Sequence, residues 1–296
     1  MDLNAALASA GLPSGTPVTI ATVDSTGHVE SAVSGHWPNG RAVTTADRFY
    51  AASLTKQVTG AALALLVREG RIDPDAGIAT YLGGLPLWSD TLTARQLLHH
   101  VAGIPRDVIE PMVSGHWTDE AVMRALGDLA ALGPRTHVYS NVGYVLLGQL
   151  VAAVSGEPFD QFIENHFGLG RAPDVGQFPQ AVLLGDKLPL SHGDGGLWTS
   201  AETFVRWLDR QNRDEFGVEA LVTSAVPDAP DYGWGLGLRE FQGKLLLMHG
   251  GGWQGASAKS ARCPALGIAV VALAACDEFD QVAALVDSVL AAMGQN

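Results

Sequence analysis

The sequence predicts an α+β fold in which one antiparallel sheet, assembled from both ends of the chain and flanked by helices, carries an all-helical insertion. Apolar residues alternate with small or polar ones over residues 17–37, a pattern typical of strands. Between about 72 and 213 the apolar residues recur with a helical period, and from about 232 to 275 the strand pattern returns. Because strands at both ends enclose helices, a single sheet formed from the two termini is favoured.

The individual elements follow from the same patterns. Residues 17–24 and 28–37 predict a hairpin around the turn Ser25-Thr26-Gly27, and a helix over 53–69 is expected to end at Gly70, since glycine commonly stops a helix. The remaining helices are expected over 93–101, 119–132, 141–155, 159–166, 201–212 and 279–293, and the remaining strands over 232–241, 244–249, 256–263 and 267–275. We therefore expect a sheet lobe from residues 1–71 and 214–296, a helical lobe from 72–213, and the active site between them.

The charge balance argues against polyanionic partners. The 296 residues include 31 acidic and 18 basic side chains, a net charge of −13, without a cluster of Lys and Arg. Nucleic acid and anionic membrane surfaces are therefore not expected as partners. The N-terminus lacks the features of a signal peptide, and no apolar stretch of the sequence approaches the length of a membrane span. Cys263 and Cys276 are expected to lie on consecutive strands, too far apart for a disulfide. These observations predict a cytoplasmic protein with reduced thiols.

A hydroxyl and an ammonium lie one helical turn apart in Ser53-Leu54-Thr55-Lys56. Residues i and i+3 share a helix face, so Lys56 is expected to hydrogen-bond Ser53. The helix start adds N–H groups and a partial positive charge, which favour an alkoxide or oxyanion. The spacing predicts a serine nucleophile activated without histidine, the alternative being a capping serine followed by a solvated lysine.

Tyr139-Ser140-Asn141 precedes a predicted helix. In a functional interpretation Tyr139 is a proton acceptor, because the neighbouring Lys56 ammonium favours the phenolate, and Asn141 hydrogen-bonds a substrate carbonyl or amide. The alternative is a half-buried packing tyrosine, with Asn141 as the N-cap of the helix.

His249-Gly250-Gly251-Gly252 lies at the end of a predicted strand. Glycines let a substrate backbone approach a strand edge, and the Gly252 N–H could point at a developing oxyanion, whereas the alternative is a simple β-bulge. His249 is expected to be a hydrogen-bond donor or a cation at the pocket wall.

Two competing motifs overlap these glycines. His-Gly-Gly-Gly occurs in the oxyanion loop of α/β-hydrolase lipases, but this sequence contains no Gly-x-Ser-x-Gly nucleophile elbow. Residues 250–255 also satisfy Gly-x-Gly-x-x-Gly, but a strand rather than a helix is expected to follow, so a dinucleotide site is not expected. No cofactor is predicted, and no spacing of His, Cys and Asp supports a metal.

Ser53-x-x-Lys56, Tyr139-x-Asn141 and His249-Gly250-Gly251 together resemble, in order and spacing, the three motifs of the serine β-lactamase and penicillin-binding-protein superfamily. The tyrosine is similar to the branch that contains class C β-lactamases, D-alanyl-D-alanine carboxypeptidases, D-aminopeptidases and family VIII esterases. Residues 97–105 and 195–200 also resemble flanking signatures of that branch, and the resemblance runs from about residue 15 to 290.

The resemblance implies an acyl-serine mechanism. Ser53 would be acylated, Lys56 would share its proton network, and Tyr139 would act as general base and then as acid to the leaving group. The N–H groups of Ser53 and Gly252 would form the oxyanion hole. The substrate-binding and oxyanion positions are Asn141, which orients the acyl side, His249, which lies where other members carry lysine or histidine, and Gly251 and Gly252.

We therefore predict a serine hydrolase whose partner is a small-molecule ester, amide or lactam, with small esters or amides preferred. His249 in place of lysine gives a weaker fixed charge for a substrate carboxylate. The alternatives are a D-amino-acid amidase or peptidase, a β-lactam hydrolase, a biosynthetic acyltransferase, and a catalytically inactive binding module of the same fold. Residues 167–195 and the strand end at Asp277 depart from the pattern of relatives, so the pocket wall is expected to differ.

Overall fold

One antiparallel sheet organises the molecule, whose computed structural model describes residues 2–170 and 178–295. The strands are β1 (Val18–Val23), β2 (Val29–Ser34), β3 (Phe49–Tyr50), β4 (Trp198–Thr199), β5 (Gly237–Phe241), β6 (Lys244–Trp253), β7 (Ala256–Cys263) and β8 (Ile268–Ala274). The order in the sheet is β2-β1-β8-β7-β6-β5, and β3 and β4 pair separately. Because β1 pairs with β8, the N-terminal hairpin and the C-terminal strands share one sheet, which confirms the predicted fold class.

Helices cover both faces of this sheet. They are α1 (Leu3–Ala8), α2 (Thr55–Arg68), α3 (Ala94–Leu98), α4 (Arg106–Met112), α5 (Asp119–Gly127), α6 (Asn141–Ser155), α7 (Phe159–Phe167), α8 (Ala201–Asn212), α9 (Glu219–Val222) and α10 (Phe279–Met293). Successive strand residues point to opposite faces, so Ile20 joins an apolar cluster with Val286 of α10, whereas Ala21 joins another with Phe204 of α8. β1, β7 and β8 are consequently buried along their whole length.

The two predicted lobes follow the order of the elements along the chain, but the elements do not pack strictly within them. α8 falls within the expected helical lobe, 72–213, yet it packs against β1 and β8. α2 contacts α6, α7 and α9, and its Gln57 side chain donates to Ser260 Oγ of β7 at 2.9 Å. The division into two lobes therefore stays a prediction, and α2 is in contact with both groups of elements.

Several element bounds differ from the sequence prediction for local reasons. Residues 93–101 form only the short helix α3, because His100 takes a left-handed φ of 58°. β6 continues to Trp253 through its glycines, because these residues pair with β7, Gly251 opposite Ala258. α1, α4 and α9 are short helices that the periodicity did not predict.

No single helix among residues 2–170 and 178–295 has the length and hydropathy needed to cross a membrane. Within these ranges only the pair α6 and α7 together has the required length and hydropathy, and this pair is bent by 73° at its junction.

Candidate active site

Ser53 lies in a tight turn immediately before α2. Residues Ala52–Leu54 form a 3₁₀ turn, and α2 continues from Thr55. Helical structure therefore begins where the sequence predicts it, but its first turn is a 3₁₀ turn rather than an α-helical one. Ala52 has a φ of 47°, which is rare for a residue with a Cβ and is typical of strained functional turns. The turn leaves Ser53 half-buried at the start of the helix, where the partial positive charge of the helix favours an oxyanion.

Lys56 is buried completely and holds three elements of the site together. Its Nζ lies 3.0 Å from Ser53 Oγ, 2.8 Å from Asn141 Oδ1 and 2.8 Å from the backbone oxygen of Asp194. An ammonium has three N–H donors, and each of them has an acceptor here. The predicted contact between Lys56 and Ser53 is therefore present, and the solvated-lysine alternative is wrong.

No role was predicted for Asp194 from the sequence, although the loop that contains it contacts Lys56. The backbone of this loop accepts from α2 twice, Lys56 to Asp194 O and Thr59 Oγ1 to Gly193 O at 2.6 Å. The Asp194 carboxyl accepts from Trp117 Nε1 at 3.1 Å and from Ser191 Oγ. Burial raises the pKa of this carboxyl above its ordinary value, although the Lys56 charge and the two hydrogen bonds oppose the shift. A glycine-rich stretch was the only signal that could have indicated this close approach.

Gly193 is the glycine on which this approach depends. A Cβ at this position would lie 2.1 Å from the Tyr144 carbonyl oxygen and 2.9 Å from Gly148 N, both backbone atoms of α6. We expect Gly193→Ala to lower the free energy of unfolding by ~1–3 kcal/mol and to reduce turnover, because the loop must shift away from α6 and this shift disturbs the Asp194 carbonyl that accepts from Lys56. Urea unfolding and steady-state kinetics measure the two effects. Gly83→Ala is the matched control, since no described atom lies within 4 Å of its added Cβ, and equal effects of both changes would contradict the argument.

Tyr139 lies beside Lys56, as the functional interpretation expects. The Lys56 Nζ is 5.0 Å from the centroid of the Tyr139 ring. The ring packs against that of His100, with centroids 4.5 Å apart, and lies 6.3 Å from the ring of His249. Tyr139 is half-buried, so part of its side chain remains accessible to solvent.

Asn141 is oriented by Lys56 rather than used as a cap. Ser140 is the N-cap of α6, since its side chain accepts from Gly143 N at 3.2 Å, and the alternative that made Asn141 the cap is wrong. The Asn141 Oδ1 atom accepts from Lys56 instead.

His249 is held as a neutral ring, which corrects the expectation of a cation. Its Nδ1 donates to the Gly250 carbonyl, so Nε2 accepts from the Tyr232 hydroxyl at 3.0 Å. Burial, followed by the charge of Lys56, lowers the pKa of His249 from 6.5 to about 3. The physical reason is that an imidazolium here would be buried beside another cation. Tyr232, which supplies the second hydrogen bond, was missed in the sequence because only its place in the fold brings it near.

The predicted glycines lie where β6 passes the turn that contains Ser53. A Cβ at Gly251 would lie 2.8 Å from the Ala51 carbonyl oxygen and 3.1 Å from Ser53 N, so only glycine allows this approach. At Gly252 the space is open, because no described atom lies within 4 Å of an added Cβ. β5 pairs with β6 only as far as Met248, so the following part of β6 presents an edge on that side.

Two groups near Ser53 suit proton transfer to and from its hydroxyl. They are the Lys56 ammonium, which contacts Ser53 Oγ, and the Tyr139 phenol beside Lys56, while the Asn141 carboxamide is bonded to Lys56. In residues 2–170 and 178–295, no cluster of three or more His, Cys, Asp or Glu side chains is placed to bind a metal ion.

Sequence comparisons agree with the arrangement of motifs. The family model described as Beta-lactamase matches residues 19–292. The "Putative D-alanyl-D-alanine carboxypeptidase" of Escherichia coli (strain K12) is 34% identical over 144 residues, which cover 41% of this chain and 32% of that protein. The match therefore spans about a third of that relative's length.

Solved structures share the fold over nearly the whole chain. The penicillin binding protein from Bacillus halodurans superposes with a TM-score of 0.82 at 21% identity, covering 98% of this chain and 99% of that one. The D-amino acid amidase from Ochrobactrum anthropi SV3 has a TM-score of 0.76 at 21% identity and covers 98% of this chain and 100% of that one. At these identities the likeness concerns the fold alone.

Proposed function

The chain belongs to the beta-lactamase family, whose model matches residues 19–292, and on this premise we propose that it is a serine hydrolase of small neutral esters or amides. The proposed reaction proceeds through an acyl-Ser53 intermediate. The observation that supports it most directly is the buried Lys56, which donates to Ser53 Oγ at 3.0 Å. A buried cation at this distance favours the alkoxide of Ser53, because opposite charges stabilise each other strongly where water is excluded.

In the proposed mechanism Tyr139 moves the protons. It accepts the proton of Ser53 as the oxygen attacks the substrate carbonyl, and the N–H groups of Ser53 and Gly252 stabilise the oxyanion. The tetrahedral intermediate then expels an alcohol or amine, which takes the proton from Tyr139. Water, activated in turn by Tyr139, releases the acid and restores Ser53. The Asn141 Oδ1 is bonded to Lys56, so the Asn141 amide N–H₂ is the group that we assign to the substrate's acyl side.

A neutral substrate fits the electrostatics of the pocket wall. A carboxylate substrate needs a cation or free donors, and His249 provides neither, because its Nδ1–H is bonded to Gly250 and its pKa is lowered to about 3. The Lys56 ammonium offers no free donor to a substrate carboxylate either, because it donates to Ser53, Asn141 and Asp194.

We expect the preference for neutral substrates to be independent of pH. From about pH 5.5 to about pH 8, around the ordinary histidine pKa of about 6.5, His249 stays neutral, since its lowered pKa lies below this interval. The ratio of kcat/KM for p-nitrophenyl valerate over mono-p-nitrophenyl glutarate should therefore stay constant, and His249→Gln should keep much of the turnover of the neutral ester. A loss in this variant that is selective for the carboxylated ester and grows below about pH 6.5 would overturn the preference.

Intact-mass spectrometry tests the proposed function directly. The protein is mixed with a panel of esters, D-amino-acid amides and β-lactams and quenched within the first turnovers. An adduct of the acyl mass, mapped by peptide analysis to Ser53 and formed fastest with neutral esters or amides, is expected. An adduct confined to β-lactams or to D-amino-acid amides would assign those substrates instead, and an acyl group that leaves only when a second acceptor is added would indicate transfer. The absence of any adduct across the panel would refute the proposal.

A further inference from the structure

His100 packs against the ring of Tyr139 and binds the backbone next to it. It follows α3 with a left-handed φ of 58° and is only 2% exposed. Its carbonyl oxygen accepts from Val138 N at 2.8 Å, and its Nδ1 accepts from Ser140 N at 3.1 Å. The backbone N–H groups of the residues before and after Tyr139 are thus both bound by His100.

The hydrogen bonds determine the form of the ring. A backbone N–H can only donate, so Nδ1 of His100 is unprotonated and the neutral ring carries its proton on Nε2. Burial, and after it the charge of Lys56, lowers the pKa of His100 well below 6.5, so the ring keeps this form. The imidazole lies among the rings of Tyr139, Tyr144 and Tyr232, with centroids 4.5, 5.0 and 4.9 Å away.

This arrangement of His100 lowers the stability of the fold, so stability does not explain it. A left-handed φ is uncommon in residues other than glycine, and histidine is among the few that adopt it more often than the rest. His100 Nε2 has no hydrogen-bond partner among the described residues, and a buried donor without a partner is destabilising. Strained and unsatisfied groups cluster at functional sites, where the surrounding structure holds them in place.

We propose that His100 is a positioning residue that fixes the phenol of Tyr139 against Lys56 and Ser53, by binding the backbone on both sides of Tyr139 and packing on its ring. The inference rests on the proposed role of Tyr139 as the base. A shift of about 1 Å in a reacting group can cost about 10²-fold in rate, so the two hydrogen bonds that hold the residues next to Tyr139 are enough to affect turnover.

A matched pair of substitutions isolates the Nδ1 contact. Asparagine tolerates a positive φ and places Oδ1 as many bonds from Cα as Nδ1 of histidine, whereas glycine tolerates the same φ without an acceptor. With p-nitrophenyl acetate as the probe, His100→Gly should lower kcat by about 10²-fold with little change in KM, and His100→Asn should recover most of the loss. Hydrogen exchange of the Ser140 amide should be fast in the glycine variant and slow in wild type and in the asparagine variant.

A double-mutant cycle separates positioning from general structural damage. If His100 acts through Tyr139, His100→Gly should cost nothing further in a Tyr139→Phe background, because the group that it positions is gone. An equal loss in both backgrounds, identical rates for the glycine and asparagine variants, or an effect confined to KM would overturn the proposal.

The same measurements distinguish this proposal from the proposed function. If wild type forms no Ser53 adduct, or if Tyr139→Phe is as active as wild type, the proposed mechanism fails and this inference with it. If Tyr139→Phe is impaired while His100→Gly behaves as wild type, only the inference about His100 fails.

Discussion

Replacing Ser53 by alanine is expected to lower turnover by at least about 10³-fold, the scale of nucleophile loss in well-studied serine hydrolases. The variant should fold normally, because Ser53 is half-buried and Lys56 keeps its acceptors Asn141 Oδ1 and Asp194 O. Steady-state kinetics on p-nitrophenyl acetate and intact-mass analysis should show the loss of both turnover and the acyl adduct.

The control for this prediction is Ser34→Ala, which removes an exposed hydroxyl at the end of β2 and should keep wild-type turnover. A Ser53→Ala protein that retained more than about a tenth of the wild-type rate would show that another group is acylated or that the observed activity does not need a covalent step.

Lys56→Met is expected to reduce turnover nearly as severely, and its effect should not add to that of Tyr139→Phe. Methionine keeps most of the buried stem but removes the charge and leaves the acceptors Asn141 Oδ1 and Asp194 O without this donor. Groups that act as one proton path lose their joint function when either is removed, so the double variant should be little worse than the poorer single variant. Rates of the two single variants and the double variant on one activated ester give this comparison.

Lys244→Met serves as the control, because Lys244 is exposed at the start of β6 and its charge is far from the interactions described for Ser53. Losses for Lys56→Met and Tyr139→Phe that multiply in the double variant would mean that the two residues act independently. Urea unfolding of each variant reports whether a lost buried hydrogen bond, rather than lost chemistry, explains a reduced rate.

Local patterns in the sequence were sufficient to predict much of the fold. α6, α8, β7 and α10 begin and end at the residues that periodicity predicts, because each has a clear apolar pattern and a recognisable end. The spacing of Ser53 and Lys56 likewise predicts their contact, since three residues make about one helical turn. The order of the three motifs was enough to predict the family, which the match over residues 19–292 confirms.

The charge state of His249 could not be predicted in this way. A histidine at 249 reads as a titratable residue, and only the fold shows that it is buried, hydrogen-bonded to Tyr232 and near Lys56. Burial and a nearby like charge both depend on the three-dimensional surroundings, so the neutral form of His249 follows from the tertiary structure alone.

The sequence by itself determined the chemical groups, Ser53 and Lys56 above all, and the secondary structure that presents them. The tertiary structure decided what surrounds those groups, because Lys56 reaches Asn141 and Asp194 across 85 and 138 residues of chain, and His100 reaches Ser140 across 40. Side-chain periodicity reports which face of an element is apolar, but it carries no information about which distant backbone oxygen or ring nitrogen will meet that face. Those long-range hydrogen bonds form only when the packed core brings the elements together, and they hold Lys56 and Asn141 next to Ser53.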